Sequence, residues 1–236
     1  FDIEKLCDVE MLELFLRQQP VLWAKLSKHF PGQETATVIR EYNKRIDRGE
    51  SILTIMRKGF TVSGAKVKFC QFKPVLESEE TDNYRLYRAN RFSVVRQMRY
   101  SLGKDSGNEL DMCILLNGIP LFTFELKNEG TGQNYTHGIK QYKENRNPQN
   151  RMLRNCLVHF VMDNQYVFMT TKLNGEETSF LPFNREAVNP PIEGEYPTAY
   201  MWQDILQADS VLDILDNFIK RYEETYEEEI NGKKEQ

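Results

Sequence analysis

Three charged residues, Asp111, Glu125 and Lys127, stand at the ends of two apolar runs joined by Asn117-Gly118. Asn-Gly between apolar runs is a strong short-range signal for a β-hairpin. Both runs are apolar at nearly every position, so both faces of the sheet they form should be covered. Two carboxylates and an ammonium where such strands emerge could hold a divalent cation against a phosphodiester. A pair of carboxylates with one backbone carbonyl, for which Leu126 is the natural candidate, suits Mg2+, with Mn2+ as a substitute. Such a cation would acidify a bound water and neutralise charge on a scissile phosphate. Lys127 would orient or deprotonate the attacking water, or stabilise the phosphoryl oxygens. The alternative is a half-buried Asp/Glu–Lys ion pair at a strand end, because the spacing Asp…Glu-x-Lys is short and common.

The chemistry requires a particular register. Residues two apart on a strand share a face, which unites Glu125 with Lys127. A two-residue Asn117-Gly118 loop pairs Asp111 with Phe124 and puts Asp111 on the wrong face unless a bulge compensates. A three-residue loop over residues 116–118 pairs Asp111 with Thr123 and sets it diagonal to Glu125, roughly 7–8 Å away. The expected hairpin is therefore the three-residue one.

The longer text resembles the N-terminal endonuclease region of the R subunit of type I restriction enzymes. The similarity lies in residues 89–97 (ANRFSVVRQ), 110–120 (LDMCILLNGIP), Phe124-Glu-Leu-Lys-Asn128, Thr131-Gly-Gln133 and Gln141-Tyr142. Downstream it continues in Val158-His-Phe160, Met169-Thr-Thr171 and residues 180–184 (FLPFN), in the family order. The resemblance implies an α/β, restriction-endonuclease-like (PD-(D/E)xK) fold, a mixed central sheet flanked by helices. By the same resemblance Asp111 and Glu125 are the metal ligands and Lys127 the catalytic lysine. It implies double-stranded DNA as substrate, methylase and specificity subunits as partners, and an ATP-driven translocase elsewhere in the subunit that gates cleavage. The chain departs from the group at one point: a strict Gln-x-x-x-Tyr motif would need Gln where Gly138 stands, four before Tyr142. Gln141 and Tyr142 are candidate DNA contacts, although successive helical residues lie about 100° apart and cannot fully share a face.

Composition is consistent with one α/β domain. A chain of 236 residues buries a core without disulfides. Cys7, Cys70, Cys113 and Cys156 are widely spaced, and His29, His137 and His159 have no metal-ligand spacing, so the thiols read as reduced and cytoplasmic and zinc is not expected. No apolar stretch approaches a membrane span. The formal net charge of -4 is concentrated at residues 221–236, and an arginine-rich stretch with aromatics (Tyr84 to Tyr100) includes Arg91 and Arg96, candidate phosphate contacts. The same stretch is equally read as a solvated, ion-paired face. Glu34 and Glu41, two helical turns apart, could add a third carboxylate, though an exposed helix face is the simpler reading. No phosphate-binding loop occurs, so ATP would bind outside this chain.

The periodicities predict helices at residues 2–17, 33–48, 136–146 and 210–229, and strands within 60–72, 92–98, 111–127, 157–162 and 166–171. The expected organisation is an N-terminal helical part (1–55), an endonuclease core (56–200) and a C-terminal helix with an acidic lead (201–236). The competing functions are a non-catalytic docking domain of a DNA translocase and a stand-alone repair or junction nuclease.

Overall fold

A computed structural model describes residues 1–102 and 107–220. Four helices come first: α1 (Val9–Leu16), α2 (Pro20–His29), α3 (Glu34–Asp47) and α4 (Ile52–Lys58). They precede a small hairpin, β1 (Phe60–Val62) and β2 (Ala65–Val67), turned at Ser63-Gly64 as its sequence predicts. Helix α5 (Asp82–Arg88) leads into β3 (Phe92–Arg99), β4 (Glu109–Leu116) and β5 (Ile119–Leu126). Helix α6 (Tyr135–Lys140) crosses to β6 (Val158–Met162), followed by β7 (Val167–Thr170), β8 (Leu181–Pro182) and α7 (Ala208–Asp213). One six-stranded sheet runs β3-β4-β5-β6-β7-β8. Only β5 and β6 are parallel; the other neighbours are antiparallel. A mixed sheet flanked by helices is the restriction-endonuclease-like architecture expected from the resemblance. A single apolar cluster runs from Leu6 to Leu215, so the N-terminal helices share their core with the sheet.

The hairpin differs from expectation in a way that decides the site. Asn117 (φ 49) and Gly118 (φ 80) form a two-residue turn with both residues left-handed, the turn whose twist matches paired strands. Leu116 pairs with Ile119 and Leu115 with Pro120, but Ile114 then pairs with Phe122, so Leu121 is an extra residue in β5. The bulge supplies the compensation that a two-residue loop lacks. Met112 pairs with Phe124, and the same register carried one residue further sets Asp111 directly opposite Glu125 rather than diagonal to it.

The turn is held from three sides. Asn117 is fully buried; its side chain accepts from the Arg91 N–H (2.7 Å) and donates to the Phe69 carbonyl (2.8 Å) and to Asn90 Oδ1 (3.0 Å). The Gly118 carbonyl accepts from the Asp8 N–H at 2.8 Å, and a Cβ at Gly118 would lie 2.3 Å from the Asp8 carbonyl oxygen. Gly118→Ala is therefore expected to cost about 2 kcal/mol. Of this, about 1–2 comes from the left-handed backbone and the rest from the clash with α1. Urea denaturation measures it, and an unchanged midpoint would show that this docking contributes nothing.

Helices α2, α4 and α5 have no counterpart in the periodicity reading, and the first predicted helix is shorter, beginning at Val9. Helix α6 begins at Tyr135 and continues as a π turn over Gln141–Asn145. The predicted C-terminal helix is α7 plus a π turn, Ile214–Phe218; its expected extension to residue 229 and the acidic lead lie outside the described residues.

Candidate active site

The carboxyl end of β5, beside the parallel strand β6, carries Glu125, Leu126 and Lys127, and β4 brings Asp111 to them. In sheets with parallel strands the carboxyl ends are the usual place for ligands. Asp111 Oδ2 accepts from the Leu126 N–H at 2.7 Å and lies 3.4 Å from Lys127 Nζ. Lys127 Nζ also lies 3.6 Å from Glu125 Oε2. The three residues predicted to form a site are thus brought together on one ammonium.

Their environments differ. The Asp111 side chain is 39% exposed, that of Lys127 8% and that of Glu125 0%. Burial pushes the Glu125 carboxyl up to about 7, with Arg146 the main opposing influence. Glu125 Oε1 accepts from Arg146 Nε (2.9 Å) and Nη2 (2.6 Å), while Oε2 is buried without a hydrogen-bond partner. Arg146 is itself buried, donates from Nη2 to the Glu109 carbonyl at 2.6 Å, and lies with its guanidinium carbon 5.6 Å from the centre of the Tyr100 ring. It fixes one oxygen of Glu125 and leaves the other toward Lys127. Sequence reasoning missed Arg146. Its only visible signal is an arginine closing an otherwise amphipathic helix, which reads as a solvated C-terminus.

Helix α6 presses on the site through Gly138. A Cβ there would sit 2.6 Å from Val161 Cγ1, 3.5 Å from Glu125 Cβ and 3.6 Å from Lys127 Cε. The position where a strict motif would place glutamine thus has no room for a side chain, which gives the departure a steric reason. Tyr142 is fully buried, its hydroxyl 2.7 Å from Thr123 Oγ1, which is also 2.7 Å from His159 Nδ1. This corrects the expectation that Tyr142 contacts DNA: the ring anchors the π turn against β5. Burial holds His159 neutral, lowering it to about 3. Gln141 is half-buried.

Arg91 and Arg96 are exposed, and neither forms an ion pair among the described residues. Arg99 pairs with Glu109 (2.9 Å) and Arg85 with Asp82, so part of the arginine-rich stretch is the ion-paired face considered above. Glu41 is engaged by Arg45 (3.2 Å) and Lys44 (3.9 Å). No hydrogen bond or ion pair among the described residues joins Glu34 or Glu41 to the site. Gln97, at the β3 position facing Asp111, has φ 48, a left-handed conformation unusual for a residue with a side chain.

The donor set fits a hard divalent cation. Two carboxylates converge on one positive charge, and a buried carboxylate oxygen lacks a hydrogen bond. Among the described residues no group of three or more His, Cys, Asp or Glu could hold a metal.

Among the described residues no helix is long and apolar enough to cross a membrane. Comparison with protein families matches residues 8–178 to the family described as Type I restriction enzyme R protein N terminus. The matched span holds every residue of the cluster and its Arg146 clamp. No curated protein matches the chain.

Proposed function

The chain belongs to the family of type I restriction enzyme R protein N termini, and from that premise we propose that Asp111, Glu125 and Lys127 form its DNA-cleaving centre. The observation that carries the reading is the convergence of both carboxylates on Lys127 Nζ, at 3.4 and 3.6 Å. A structural ion pair needs only one carboxylate on Lys127, whereas here the half-exposed Asp111 joins the buried Glu125, whose burial is costly.

Asp111, Glu125 and the Leu126 carbonyl would hold Mg2+ or Mn2+, which when bound supplies positive charge to a scissile phosphodiester of double-stranded DNA. Lys127 donates from Nζ to the attacking water or to a phosphoryl oxygen as negative charge grows there. Arg146 keeps Glu125 oriented, and the Leu126 N–H does the same for Asp111. In the assembled restriction complex, with its methylase and specificity subunits, cleavage is gated by an ATP-driven translocase outside this chain.

Proton and cation compete for Glu125. Its carboxyl, raised to about 7 by burial, carries a proton below that pH and is free above it. Calorimetric titration of the 236-residue chain with Mn2+ is therefore expected to show affinity rising up to about tenfold per pH unit from pH 6 to 7 and levelling off by pH 8. Asp111→Asn abolishes the binding. Binding that ignores both pH and this substitution would place the cation elsewhere and remove the support for the cleavage reading.

A further inference from the structure

Beside Lys127 a second feature opens that the cleavage chemistry does not use. Where the parallel strands β5 and β6 end, a cavity of about 280 Å3 is lined by Lys127 and Asn128 after β5 and by Asn164 after β6. Tyr196 and Trp202, from the segment after β8, complete the lining. This is near the lower end of the ~300–1,000 Å3 that ligand pockets span, room for one flat ring system and little more.

The lining is selective in its chemistry. Tyr196 is 54% exposed and Trp202 40% exposed. Single exposed apolar residues are ordinary, but two large aromatics on one small cavity call for an occupant. The amides of Asn128 and Asn164 border it, the Asn128 oxygen already accepting from the Gly130 N–H at 2.8 Å and its NH2 remaining as a donor. The one acid in the lining, Asp163, is already spent. Its carboxylate accepts from the backbone N–H groups of Tyr135 (2.9 Å), Gln165 (2.9 Å) and Tyr166 (2.7 Å), so it stiffens the wall instead of presenting a free charge. Aromatic faces, edge amides and a lysine at the rim are the components that bind an unstacked base joined to a phosphate.

We propose that this cavity receives the nucleobase adjoining the phosphate at Lys127, taken out of the duplex stack and held against Trp202 and Tyr196. The assignment rests on the reading of Lys127 as part of a DNA-cleaving centre and adds a base-holding site to it. Tyr196 and Trp202 lie beyond residue 178, where the family match ends, so they are features of this chain and not of the matched span. An apolar pocket at this place prefers bases by stacking and not by sequence, since every base has a π-face.

The chain has two tryptophans, Trp23 and Trp202. Trp23 packs under the Arg17 guanidinium, 4.1 Å from its ring centre, and Trp23→Phe leaves Trp202 as the only tryptophan, selectively excited beyond tyrosine absorption. This variant of the 236-residue chain is titrated at low ionic strength, with divalent cations chelated so that no strand is cut. The titrants are a single-stranded oligodeoxynucleotide and an abasic oligomer of the same length. Binding is followed by anisotropy of the labelled DNA alongside Trp202 emission. The expected result is saturable quenching by the base-bearing strand alone, and binding of that strand weakened about 5- to 100-fold by Tyr196→Ala. The same substitution leaves the weaker binding of the abasic strand unchanged. Binding of both strands with equal affinity and no change in emission overturns the base site and leaves the cleavage centre standing. Absence of binding to either strand overturns the base site and the DNA reading of this chain together.

Discussion

Lys127→Ala is expected to lower plasmid cleavage by the assembled restriction complex about 10^3-fold or more while ATP hydrolysis, followed in the same tube, continues. The size follows from the role proposed for the ammonium. One preorganised donor to developing negative charge is worth about 10^2–10^3 in rate, and proton transfer by a positioned group about 10^2–10^4. Lys127 is placed for either role: its Nζ is poised between Asp111 and Glu125, and its Cε lies beside Gly138. A second readout separates this role from a structural one. The ammonium repels any cation drawn to the same two carboxylates, so its removal should keep or tighten Mn2+ binding while cleavage is lost. A residue that merely held the carboxylates in place would lose both together. Lys127→Arg should not rescue cleavage, because the wall at Gly138 leaves little room for a planar guanidinium. Cleavage retained by Lys127→Ala would make the cluster an ion-paired strand end and the domain a docking module.

The sequence contains most of this site, and the parts it hides are hidden for physical reasons. Asn117-Gly118 between apolar runs announces the hairpin because only such residues take the left-handed backbone of a two-residue turn without penalty. The bulge at Leu121 has no such signature. It skips one residue in a run that is apolar throughout, so alternation cannot reveal the slip, and the expected three-residue loop reaches a usable face by the wrong route. Tyr142 illustrates a different blindness. A tyrosine on an amphipathic helix reads equally as surface or core, and the buried hydroxyl of Thr123 that decides the matter belongs to another element. The arginines of residues 84–100 divide among α5 (Arg85, Arg88), the link at Arg91 and β3 (Arg96, Arg99), a change of periodicity that charge alone does not record. Gly138 was visible as a departure from a motif; its meaning, a helix seated close on Glu125 and Lys127, required the packing.

Arg146→Met is expected to destabilise the fold by about 3–5 kcal/mol once the pH exceeds the raised folded pKa of Glu125, the usual cost of leaving a buried charge without its partner, and by less at pH 8, where the carboxyl can take up a proton instead. Met fills the space of the arginine stem, so apart from the lost hydrogen bond to the Glu109 carbonyl the loss is electrostatic and not a cavity. Glu125 keeps no water of its own at 0% exposure, and with both Arg146 hydrogen bonds gone only Lys127 Nζ, at 3.6 Å, remains as a counter-charge. The pH dependence identifies the cause. Arg146 is one of the two cations that hold the Glu125 carboxyl down toward about 7 against its burial. Without it the carboxyl moves higher. A raised acid binds its proton in the folded state before it does so in the unfolded one, so the penalty is full above the folded pKa and shrinks as pH falls below it. Urea denaturation should therefore find the variant recovering stability relative to the parent chain between pH 8 and pH 6. The double substitution Glu125→Gln with Arg146→Met, which buries no charge at that end, should be more stable than Arg146→Met alone at pH 8, with a coupling of at least about 1 kcal/mol. A deficit that is the same at both pH values and additive in the double variant would mean that Arg146 contributes only its packing. Glu125 would then owe its orientation to the strand and to Lys127, and the clamp would drop out of the account of how this carboxylate is held.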